Sequence, residues 1–72
     1  MNKWRIDFIL NSGERVSGIY EGSETTSGDV ADRILAGDAT EFIGIAALYG
    51  RGNLFVRRDQ MASATISVYT EV

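Results

Sequence analysis

The chain contains no cysteine, no histidine and no proline. Without cysteine there is no disulfide framework, and without cysteine and histidine there is neither a zinc finger nor another soft-metal site, so the common reinforcements of very small proteins are missing. The same two absences remove Ser-His-Asp and Cys-His catalytic arrangements. A cysteine-free chain fits a reducing compartment, and the cytoplasm is the expected location. No proline-rich or serine-rich linker divides the chain. Met1-Asn2-Lys3 runs directly into Trp4, which is not the cationic start and apolar core of a secretion signal. The longest uncharged apolar stretch, Phe42 to Tyr49, is far short of the roughly 20 residues that cross a bilayer, so no membrane partner is expected.

Seventy-two residues with 44% hydrophobic and 24% charged side chains describe one ordinary globular domain spanning 1–72. At this size a fold buries only roughly 60% of the surface of its extended chain, so stability is marginal unless a partner contributes. A net charge of −3 argues against broad binding to phosphate backbones.

Trp4-Arg5-Ile6-Asp7-Phe8-Ile9-Leu10 alternates, with Trp4, Ile6, Phe8 and Leu10 on one face, and predicts a half-buried strand. Asn11 to Glu14 supplies turn residues, after which Arg15 to Tyr20 is extended again; the two runs predict a hairpin. Gly18 inside the second run suggests a bulge or a close backbone approach. Thr26-Ser27-Gly28-Asp29 offers a hydroxyl cap for a short helix with a Val30, Ala31, Ile34, Leu35 stripe, ended by Gly37. Glu41 to Tyr49 is apolar on both parities and reads as a strand covered on both sides. Gly50-Arg51-Gly52-Asn53 is a turn, followed by strands over Leu54–Arg58 and Ser63–Thr70. The expected fold class is α+β: mainly an antiparallel sheet or small bent barrel, in the order strand, strand, helix and three strands. Whether the last strand returns to the first is left open.

Leu10-Asn11-Ser12-Gly13-Glu14-Arg15-Val16-Ser17-Gly18-Ile19-Tyr20 resembles the glycine-bearing hairpin of Sm-like small barrels, and Phe55-Val56-Arg57-Arg58-Asp59-Gln60-Met61 is similar to that family's second motif. Arg58 stands where the family has glycine, Met1 to Lys3 are too few for its leading helix, and Glu21 to Thr40 replaces its short connection with the Asp…Asn loop. The resemblance implies a small bent barrel that assembles through edge strands. Of the family's RNA-contacting residues it matches only Arg57. The chain as a whole also resembles small proteins of Gram-positive bacteria and their prophages, which implies an accessory role in a phage or bacterial host.

Chemistry-bearing clusters are few. Asp29 and Asp32 share a side of the expected helix, with Asp38 and Glu41 beyond it, but they lack the alternating oxygen ligands of a calcium loop and read as a solvated helix face. Gly50-Arg51-Gly52 lacks the lysine, hydroxyl and length of a phosphate loop. No catalytic residue, metal or cofactor is expected. Charge is uneven: Glu21, Glu24, Asp29, Asp32, Asp38 and Glu41 against Arg33 give a local −5, whereas Arg51, Arg57 and Arg58 give +3. That asymmetry is either ordinary solvation or an acidic face meeting a basic face on another copy.

Seven aromatic residues are many for so small a sheet. Phe8, Phe42 and Phe55 are expected in the core; Trp4, Tyr20, Tyr49 and Tyr69, whose polar tips tolerate water, are the candidate protein interface. The expected function is a non-enzymatic interaction module that self-associates as a homo-oligomer or binds a protein partner. The alternative is a nucleic-acid-binding small barrel, with Lys3, Trp4, Arg51, Arg57 and Arg58 as a basic-aromatic patch.

Overall fold

In the computed structural model, which describes residues 1–70, strands β1 (Asn2–Leu10) and β2 (Arg15–Gly22) form the expected hairpin, followed by helix α1 (Ser27–Leu35). Strands β3 (Phe42–Ala47) and β4 (Asn53–Arg57) come next, then a single 3₁₀ turn at Arg58–Gln60 and strand β5 (Met61–Val68). All five strands belong to one antiparallel sheet in the order β4-β3-β2-β1-β5, so the protein is a small α+β domain. The last strand does return to the first: β5 pairs with β1 from Trp4 opposite Val68 to Leu10 opposite Met61, and β4 and β5 are the two margins of the sheet.

The alternation of β1 accounts for the core. Trp4, Ile6 and Phe8 point to one side, where they meet Ile43 and Ile45 of β3, Val56 of β4, and Val30 and Ile34 of α1. Phe8, Ile6 and Val30 are fully enclosed. Helix α1 is built as its sequence suggests: the Thr26 hydroxyl oxygen accepts a hydrogen bond from the Asp29 backbone N–H at 3.1 Å, and the Val30/Ile34 stripe faces the sheet. Nine residues would not hold as a helix alone in water, so this packing keeps α1 formed.

Gly18 governs how closely β3 approaches β2. A Cβ at this position would lie 2.3 Å from Ile45 Cδ1 and 2.9 Å from the Ala46 carbonyl oxygen, so only a residue without a side chain lets β3 come this close. The β2–β3 ladder is correspondingly short, with Gly18 opposite Ala47 and Ile19 opposite Ala46.

The structure corrects two expectations. The apolar run of β3 is covered on one side only: Ile43 and Ile45 are buried, while Phe42, Gly44 and Ala46 face outward. Helix and sheet enclose a single layer of side chains, and no element of the described residues crosses the outer side of β3. Phe42 and Phe55, expected in the core, are accordingly 62% and 64% exposed.

Replacing Gly18 with alanine should destabilise the fold by about 2 kcal/mol or more, because the overlap is partly with backbone and cannot be relieved by rotating one side chain. Urea unfolding of Gly18→Ala against the parent protein, read as a fall in midpoint at unchanged slope, measures this.

Candidate interaction surface

The outer side of β3 and β4 is set by parity. On β4, Leu54 and Val56 point inward, so Asn53, Phe55 and Arg57 point out; on β3 the outward residues are Phe42, Gly44 and Ala46. Phe55 sits directly opposite Gly44, and its ring lies over that glycine: a Cβ at Gly44 would be 3.0 Å from Phe55 Cε1. Phe42 is one position along the same face, opposite Arg57. With Ile19 of β2, opposite Ala46, these residues make an apolar strip that ends at the open margin of β4. Around that margin lies a groove of about 430 Å³ whose apolar walls include Leu10, Val16 and Leu54 of the core's rim and the core residue Val56.

Of the four aromatic residues expected at an interface, Tyr49 is open to solvent, at 74% exposure, in the turn between β3 and β4. Trp4 is not on the surface. It shares the inward parity of Ile6 and Phe8 and is a core residue with 6% exposure. Tyr20 and Tyr69 are half-buried: the Tyr20 hydroxyl donates to Glu24 Oε1 at 2.8 Å, and the Tyr69 backbone N–H donates to the Lys3 carbonyl oxygen, continuing the β1–β5 ladder. The hydrogen bond to Glu24, helped by burial, raises the Tyr20 phenol above its ordinary value.

The basic residues do not gather into one patch. Arg58 is held inside the fold: its Nη2 donates to the Ile34 carbonyl oxygen at 2.9 Å, at the C-terminal end of α1, and its Nη1 reaches Glu41 Oε2 at 3.4 Å. Its guanidinium packs over Gly37, whose φ of +139° lies in the region glycine favours. The cation thus faces a helix carboxyl end, where positive charge is stabilising. Arg57 is clasped by Asp59 through two hydrogen bonds of 2.6 Å. The pairing raises the Arg57 guanidinium and, despite some desolvation, holds the Asp59 carboxyl below the ordinary carboxylate range. Arg51 lies exposed in the β3–β4 turn. Lys3 is on β1, separated from β4 by β2 and β3, and Trp4, the ring meant to stack on bases, is enclosed. The +3 cluster is therefore largely matched within the chain.

Acidic groups likewise serve local structure. Asp38 accepts from the Thr40 backbone N–H and hydroxyl, which lowers its carboxyl. On the outer face of β1, Asp7 accepts from the Ser17 hydroxyl and from Arg5 Nε at 3.1 Å. Burial pushes the Asp7 carboxyl up, but the Ser17 hydrogen bond and the Arg5 guanidinium together outweigh it and hold it below the usual range. Among the described residues no three acidic side chains come together as a metal site would require, and no helix is long and apolar enough to cross a membrane. No family model, curated protein or solved structure matches this chain.

Sequence parity already contained the signal for Phe55, which alternates with Leu54 and Val56 and shares its side with the polar Asn53 and Arg57. Phe42 carried no such mark, because its same-side neighbours Gly44 and Ala46 suit either environment.

Two measurements probe these polar contacts. Because Asp7 is held below its unfolded value, its contribution to stability is complete above about pH 4 and is lost as pH falls from there through the folded value. The advantage of the parent protein over Asp7→Asn in thermal melts should therefore be constant from pH 7 to about pH 5 and shrink below about pH 4. Arg58→Ala should cost about 1–2 kcal/mol in chemical denaturation, since it removes a charged donor from the end of α1, whereas Arg51→Ala should stay within about 0.5 kcal/mol of the parent.

Proposed function

We propose that this protein is a non-enzymatic interaction module that associates with copies of itself in the cytoplasm, in an accessory role in a phage or its bacterial host. One observation carries the self-association: Phe42 and Phe55, more than 60% exposed, are diagonal neighbours on a sheet face that runs out at the outer margin of β4. Single exposed apolar residues are common on protein surfaces, but two phenylalanines on adjacent strands beside open backbone groups combine the two features that drive association. Their ring area adds affinity, while the charged groups nearby set orientation and rate. A second copy would also contribute the burial that a chain of this length, with neither disulfide nor soft-metal site, has little of internally.

Sedimentation equilibrium across about 1–500 µM should show a monomer giving way to a larger species, the range expected for a small interface. The double variant Phe42→Ser/Phe55→Ser should weaken this association by tenfold or more while leaving the thermal transition nearly unchanged, since neither ring is part of the core. A parent protein that stays monomeric throughout removes the reading.

A further inference from the structure

Self-association alone does not say which surfaces meet; the backbone of β4 narrows the choice. The Arg58 N–H donates to the Glu41 carbonyl oxygen at 3.0 Å and the Ala47 N–H to the Gly52 carbonyl oxygen at 3.1 Å, at the two ends of the β3–β4 ladder. Hydrogen-bonded pairs alternate along an antiparallel ladder, so Val56 and Leu54 are the β4 residues that bond to Ile43 and Ile45 of β3. The N–H and C=O groups of Asn53, Phe55 and Arg57 therefore point the other way, into the open margin.

We propose that β4 pairs antiparallel with β4 of a second copy about a two-fold axis through Phe55, an arrangement that rests on the self-association of the chain. Phe55 then faces its own counterpart, and Asn53 faces Arg57 of the second copy. Three independent observations favour this arrangement.

The first is the backbone. This register matches all three outward-pointing residues of each strand at once, giving about six hydrogen bonds between copies; a slip of two residues in either direction leaves one residue of each strand unmatched. The second is the apolar surface. Residues paired across a sheet share a face, so both Phe55 rings fall on the outer side beside both Phe42 rings, joining the two exposed strips into one. On the inner side, Leu54 of one copy meets Val56 of the other at the groove beside the margin. The third is charge. Arg51 lies in the turn before β4 and Asp59 in the 3₁₀ turn after it, so the axis places the Arg51 end of each β4 beside the end of the other where Asp59 holds Arg57. The slip toward the turn would instead bring Arg51 level with Arg57, a like-charge contact that selects against it.

The β5 margin offers less. Its exposed outward residues include Ser63, Thr65 and Ser67, and it lacks a pair of exposed rings on the neighbouring strand. Pairing through strands as short as β4 buries little area, so the dimer should be weak, with a Kd of about 10–100 µM.

Cysteine scanning tests the geometry without ambiguity, because the parent chain has no cysteine and every disulfide must join two copies. Hydrogen-bonded antiparallel partners have Cα atoms about 5.5 Å apart, inside the range a disulfide spans. Under mild oxidation, Phe55→Cys should form a cross-linked dimer with itself. An equimolar mixture of Asn53→Cys and Arg57→Cys, which keeps the Phe55 ring, should cross-link to each other at least tenfold faster than either does to itself; this fixes the register and stands in where loss of that ring weakens association too far for Phe55→Cys to cross-link. Thr65→Cys on β5 should remain monomeric. A dimer of Thr65→Cys, or a mixed dimer of Phe55→Cys with Thr65→Cys, overturns β4–β4 pairing and leaves self-association intact. So does a parent protein that associates in sedimentation while no cysteine on β4 cross-links. A parent that is monomeric at every concentration overturns both.

Discussion

A nine-residue helix can cover one side of a five-stranded sheet and no more, and this limit shapes the molecule. Val30 and Ile34 of α1 close the layer formed by Trp4, Ile6, Phe8, Ile43, Ile45 and Val56, which takes up the inward parity of β1, β3 and β4. The outward parity has nothing to pack against within the described residues. On β1 that side carries Arg5 and Asp7, which pair with each other and need no cover. On β3 and β4 it carries Phe42, Gly44, Ala46 and Phe55, which solvent disfavours.

The polar side chains point toward the same division of labour. Arg58 ties the 3₁₀ turn to the carboxyl end of α1, Asp59 holds Arg57, Asp38 shapes its own turn and Thr26 caps the helix. Each of these groups stabilises the fold locally, and the proposed interaction surface rests on the exposed apolar residues that remain. In the proposed dimer the charges that bear on orientation are the few at the ends of β4, where Arg51 and Asp59 flank an apolar middle.

Most of the architecture is legible in the chain because each element carries its own local physics. The two-residue alternation of Trp4 to Leu10, the turn chemistry of Asn11 to Glu14, the hydroxyl cap at Thr26 and the Val30/Ile34 spacing each specify one outcome, and the close approach at Gly18 follows from a glycine where a strand needs none. Strand β3 defeats a local reading because small and apolar residues on its outward parity look the same whether covered or bare; Gly44 is outward to make room for the Phe55 ring, a contact between residues 11 apart that no local pattern reveals. Chemical type alone puts Trp4 on the surface, although its parity with Ile6 and Phe8 puts it inside. For aromatic residues in these strands, position in the alternation is the better guide than the polarity of the ring.

The pairing of β1 with β5 has a consequence for how the protein comes into being. Strand β5 is translated after every other strand, yet it flanks the strand that bears Trp4, Ile6 and Phe8. Until it arrives, the nascent β1–β2 hairpin has one flank bare and three large core side chains without their full enclosure, and the last closure spans most of the chain, which makes it the slowest kind of contact to form. The core side chains of β1 therefore gain their full enclosure only after residues 61–68 have been made.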